Sequence, residues 1–135
     1  MAENHAQAPG ESADIILPQD CGNSPRLLLV GDLIVAWARG DRAAVEPRLA
    51  DDFSWSVVGA ATDSGPHQPG IPRPGLEPER IEILSTITHG RLAACDGFLA
   101  DGPRRVDFCH VLHFTGASKT ARIAAVRTYL QPSAA

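Results

Sequence analysis

The sequence predicts an α+β domain, and three observations carry that prediction. Apolar residues recur at helical spacing near the front of the chain, between Leu27 and Trp37. From Asp52 the period drops to two, with Phe53, Trp55 and Val57 alternating against Ser54 and Ser56. The second half then reads as consecutive strands joined by tight-turn signals. Helices come first and an antiparallel sheet follows, which is the order of an α+β chain rather than of alternating βαβ units.

Each element has a local cause. Residues 1–23 are rich in Ala, Glu, Gln, Pro and Gly without periodicity, which predicts an N-terminal tail. Ser24 and Pro25 open the first helix: serine caps free N–H groups, and proline at the first helical position gives up an N–H that would have no partner. Leu27, Val30, Ile34 and Trp37 form its apolar stripe, and Gly40 ends it by accepting a left-handed conformation. Asp41 caps a second helix over 42–50, which Pro47 must kink or shorten. Residues 59–78 hold five Pro and four Gly, a long loop that is either a lid or pocket rim or a passive excursion.

Four strands are expected over 80–88, 91–100, 104–115 and 120–131. A two-residue turn at His89-Gly90 pairs Thr88 with Arg91, which sets Ile83, Ser85 and Ile87 on one face with Asp96, Ala94 and Leu92. The next turn lies near Asp101-Gly102-Pro103. An even register there puts Phe98, Asp96 and Ala94 beside Val106, Phe108, His110 and Leu112. On the last strand Ala124, Val126, Thr128 and Leu130 share one face, and Ile123, Ala125, Arg127 and Tyr129 the other. The single domain is thus expected over 24–131, with a short tail at 132–135.

Composition narrows the function. The 135 residues suffice for one domain with a sizeable core, and 44% hydrophobic against 21% charged residues is a globular balance. The net charge is −4, and the eleven Arg form no run longer than Arg104-Arg105, which disfavours nucleic acid and anionic membranes as partners. Cys21, Cys95 and Cys109 are odd in number and lack CxxC spacing, so a disulfide framework or zinc ribbon is not expected and a reducing, cytoplasmic setting fits. The N-terminus lacks the basic start and apolar run of a signal peptide. The apolar stretch from Leu27 to Ala38, broken by Gly31 and Asp32, is too short to span a bilayer. No glycine-rich phosphate loop is present, so no cofactor is expected.

The segments LADDFSWSVVG (49–59), DFCHVLHF (107–114) and ARIAAVRTYL (121–130), after Gly40-Asp41, resemble the nuclear transport factor 2-like superfamily over about residues 25–131. That superfamily includes ketosteroid isomerase, scytalone dehydratase, limonene epoxide hydrolase and SnoaL-like polyketide cyclases. The resemblance implies a cystatin-like cone: a curved antiparallel sheet wrapped around N-terminal helices, often a homodimer through its outer sheet face. Its open end would hold a small hydrophobic molecule. His110 matches the strand position of the isomerase's acidic oxyanion-hole residue and resembles the strand histidine of the cyclases. The isomerase's base position falls at Val57 and its tyrosine near Leu33. The last-strand aspartate of the hydrolase and cyclases falls near Thr128, and the hydrolase's arginine near Asp96.

On these faces the ligand-binding candidates are Phe53, Trp55, Val57, Ser85, Phe98, Phe108, Leu112, Val126 and Thr128. The catalytic candidates are His110 and Asp96, because a carboxylate holding one imidazole nitrogen leaves the other free for proton transfer near neutral pH. Isomerase, cyclase or dehydratase chemistry is the functional reading. A satisfied core pair is the alternative, with the domain a non-catalytic binder or a dimerisation module whose cone is filled. No metal site is expected, since His110 and His113 point to opposite faces of a strand. Cys95 and Cys109 are expected opposite one another on the outer face. Leu99, Val111, Ile123, Ala125 and Tyr129 would form a homodimer surface there.

Overall fold

A computed structural model describes residues 13–18, 24–59 and 70–134. His5, Cys21 and His67 lie outside the described residues. The first helix, α1, spans Pro25–Arg39 as its signals require. The Ser24 hydroxyl oxygen accepts from the Leu27 N–H at 3.2 Å, and Gly40 closes the helix at φ 77°. The second helix, α2, is only Arg42–Val45, followed by a 3-10 turn over Glu46–Arg48. Pro47 accounts for the shortening, because it offers no N–H to continue the α ladder.

Among the described residues six strands form one sheet: β1 Asp14–Ile16, β2 Leu49–Val57, β3 Arg80–His89, β4 Leu92–Asp101, β5 Arg104–Phe114 and β6 Ile123–Ala134. The order is β1-β3-β4-β5-β6-β2. The neighbours β3 to β6 pair antiparallel, while β1 on β3 and β2 on β6 pair parallel. Two boundaries differ from expectation. Asp14–Ile16 is an edge strand within the segment expected to be a tail, and β6 continues past residue 131, with Ala134 opposite Arg104.

The registers correct the expected faces. Gly90-Arg91 is the first two-residue turn, so His89 faces Leu92. A bulge between Ile83 and Ser85 then shifts the pairing. Ile83 lies opposite Gly97 on the inner face, whereas Ser85 and Ile87 point outward beside Asp96 and Ala94. The second turn is Gly102-Pro103, with Asp101 opposite Arg104. That register is odd, and one residue of slip moves every β4 side chain to the other face. Ala93, Cys95, Gly97 and Leu99 are therefore inside, and Leu92, Ala94, Asp96 and Phe98 outside. A further bulge at His113/Phe114 turns Ile123 inward, opposite Phe114. Leu99 and Ile123 are therefore core residues, not outer-face ones, and Cys95 and Cys109 are on opposite faces.

The core lies between α1 and the inner sheet face. Val30, Leu33, Ile34 and Trp37 of α1 pack over Ile81, Ile83, Leu99, Leu112 and Phe114. The bulges bend the sheet around this helix.

Candidate functional site

The residues proposed from sequence fall into three places. The first is a buried chain. His110 is wholly buried on β5, with Nδ1 2.8 Å from Thr128 Oγ1 on β6. Trp55 of β2 donates its indole N–H to the same hydroxyl oxygen at 2.7 Å. Thr128 has one hydroxyl proton, so the arrangement that keeps it within the chain sends it to His110 Nδ1 and leaves the imidazole proton on Nε2. Nε2 is buried and has no hydrogen-bond partner among the described residues. The imidazole is walled by aromatic rings, Trp37 edge-on at 4.4 Å and Phe108 at 5.2 Å between ring centres. Burial pushes its pKa down to about 3, so it is neutral at pH 7.

The second place is the hydrophobic core itself. Phe108, Leu112 and Val126 are buried, and Phe53 and Val57 are half-buried on the same inner face. The third is the outer face, which holds Asp96, Ser85 and Phe98. Asp96 faces Cys109 across the ladder, while Cys95 faces His110, so the expected contact between Asp96 and His110 does not form. Phe98 carries the Arg105 guanidinium 3.7 Å from its ring centre, and Arg105 also pairs with Asp107 at 2.9 Å. The thiols are poor nucleophiles: burial pushes the Cys95 pKa up to about 12 and raises that of Cys109, on which Asp96 acts further. Among the described residues no group of three or more His, Cys, Asp or Glu side chains could hold a metal ion.

A cavity lies elsewhere. A cleft of about 650 Å³ opens between the C-terminal end of α1, α2 and the 71–78 segment. Trp37, Val45, Ile71 and Leu76 give it apolar walls, and Arg39, Arg42, Arg73 and Arg104 bring cationic groups to it. The Trp37 indole N–H donates to the Pro72 carbonyl oxygen at 2.9 Å, which pins this part of the long loop to α1. Trp37 thus borders both, lining the cleft and standing edge-on to His110. His110 is not part of the cleft lining. Sequence reasoning singled out the long loop but none of these lining residues as ligand contacts. The available signal was Ile71 and Leu76, two large apolar side chains in the stretch 70–78, which is otherwise built of Pro, Gly and charged residues.

No known family model matches the sequence, and no curated protein does. Solved structures do match. One is described as an NTF-2 like protein of unknown function from Burkholderia xenovorans LB400. It is 16% identical, with a TM-score of 0.58 over 79% of this chain and 82% of that one. At this identity the likeness speaks for the fold alone. No helix among the described residues is long and apolar enough to cross a membrane. Two helices laid on a bulged mixed sheet, together with this structural likeness, place the chain in the nuclear transport factor 2-like fold.

Proposed function

We propose that this domain binds a small, largely apolar molecule in the cleft beside Trp37, without proton-transfer chemistry at His110. The cleft is the observation that carries the reading: a volume of this size, with an apolar wall beside charged groups, suits a small molecule. The buried histidine argues against the isomerase, cyclase or dehydratase alternative. A general acid or base needs substrate within hydrogen-bond reach and a pKa near the working pH. His110 is walled off by Trp37 and Phe108, its pKa lies far below neutrality, and the carboxylate meant to support it is on the other face.

Tryptophan fluorescence tests the reading with two probes of one shape, 2-naphthylacetic acid and its neutral amide. At least one is expected to quench the fluorescence saturably, and Leu76→Trp, which narrows the cleft and is read by isothermal titration because of its added indole, is expected to weaken that binding at least about tenfold. Absence of binding by both probes to the wild type would overturn the proposal.

We further propose that a second copy of the chain covers the outer sheet face, now with a corrected set of residues. Ile87, Leu92 and Tyr129 are 63%, 47% and 42% exposed there, apolar surface that a second copy would remove from water. A dimer is expected by light scattering at micromolar concentration, and Ile87→Arg is expected to give monomer. A wild-type monomer would rule this interface out.

A further inference from the structure

Given the cleft-binding reading, we infer that the cleft ligand carries an anionic oxygen group, a carboxylate or its equivalent, held by Arg39 with Arg73. Four arginines reach the cleft, and two of them are already engaged. Arg42 pairs with Glu46 at 3.1 Å, and Arg104 with Asp101 at 3.3 Å. Arg39 and Arg73 have no ion-pair or hydrogen-bond partner among the described residues. Arg39 is half-buried at the end of α1, and its Nε is buried without an acceptor. A guanidinium has five N–H donors and accepts nothing, so a half-buried one without an acceptor leaves donors that an oxyanion would satisfy.

The lining holds two carboxylates as well, and neither neutralises Arg39. Asp41 Oδ1 accepts from the Ala44 N–H at 3.2 Å, so it serves as the cap of α2. Glu77 is exposed, as is Arg73. The end of α1 also contributes less negative potential than a free helix terminus. Its carbonyls at Trp37 and Ala36 accept from the Gly40 and Asp41 N–H groups, at 3.0 and 2.9 Å. Two cations free of ion-pair partners among the described residues, one of them with a buried donor that has no acceptor, thus stand beside the apolar wall of Trp37, Ile71 and Leu76. That pairing fits an amphipathic acid, with its ring or chain on the wall and its charged end at the arginines.

The experiment compares 2-naphthylacetic acid with its amide on wild type, Arg39→Gln and Arg73→Gln, by isothermal titration at low and at moderate salt. The acid is expected to bind wild type at least about tenfold tighter than the amide, with the preference shrinking as salt is raised. Arg39→Gln is expected to abolish the preference while leaving amide binding in place. Arg73→Gln, at an exposed position, serves as the variant with little risk to folding and is expected to reduce the preference. Equal binding of acid and amide by wild type would overturn the anion assignment yet leave the cleft reading standing. A preference unchanged in both variants would overturn the assignment to these two arginines. Failure of both probes to bind would overturn the two readings together.

Discussion

Gly97→Ala is expected to unfold the domain or to cost at least about 3 kcal/mol of its stability. A Cβ on Gly97 would overlap the Glu82 carbonyl oxygen and stand 3.0 Å from both the Glu82 carbonyl carbon and Ile83 Cα. All three atoms are backbone, so no side-chain rotation relieves the clash. The close approach follows from topology. Gly97 points inward on β4, opposite Ile83, next to the bulge at which β3 bends. Glycine is needed there for space rather than for an unusual φ. Gly31→Ala on α1 is the control: among the described residues nothing beyond its own helix lies within 4 Å of the added Cβ, and alanine is the better helix former, so a gain of up to about 1 kcal/mol is expected. Urea denaturation of the two variants decides the matter. A Gly97→Ala protein as stable as wild type would mean that β3 and β4 do not approach in this way.

The second large effect concerns pH. His110 is neutral when folded because burial pushes its pKa down to about 3, against 6.5 for the unfolded chain. Below pH 6.5 the unfolded chain binds a proton that the folded one refuses. The associated stability is therefore complete above pH 6.5 and is lost as the pH falls from there towards 3. The limiting slope is about 1.4 kcal/mol per pH unit, which makes the loss about 2 kcal/mol between pH 7 and pH 5. Among the described residues no neighbouring charge offsets it. Cys95 faces His110 across the ladder and stays a neutral thiol, and the groups around the ring are Trp37, Trp55, Phe108 and Thr128. His110→Gln, which cannot titrate, is expected to lose less stability than wild type over this interval by about that amount. Equal losses in the two proteins would show that His110 takes up its proton in the folded state.

The face on which Asp96 sits was legible in part. β4 reads LAACDGFLAD, with apolar residues at both parities: Leu92, Ala94 and Phe98 on one, Ala93, Cys95 and Leu99 on the other. Hydrophobicity alone does not choose between the two sets. The charge of Asp96 beside the side-chain-free Gly97 argues for Asp96 outward, since burying a lone carboxylate costs far more than burying a glycine. Bulk favoured the opposite choice, because Phe98 and Leu92 are large. The fold resolves this by covering Phe98 with Arg105 on the outer face, a partner invisible without the odd register.

Local chemistry by itself determined the elements of this protein. Ser24 and Pro25, Gly40, Asp41 and Pro47 set where helices begin and end, and period-two runs with Gly-containing turns set four of the strands. Those signals act within a few residues of chain, so one sequence carries them in full. Only the tertiary structure decided which face each strand turns inward and which side chains meet. Two-residue turns and bulges at Ile83/Ser85 and His113/Phe114 set the registers, and each slip of one residue exchanges an entire face. The same holds for the cleft. Arg39, Val45, Ile71 and Leu76 are separated along the chain and converge only in the fold, where the Trp37 indole N–H donates to the Pro72 carbonyl oxygen and ties the loop to α1.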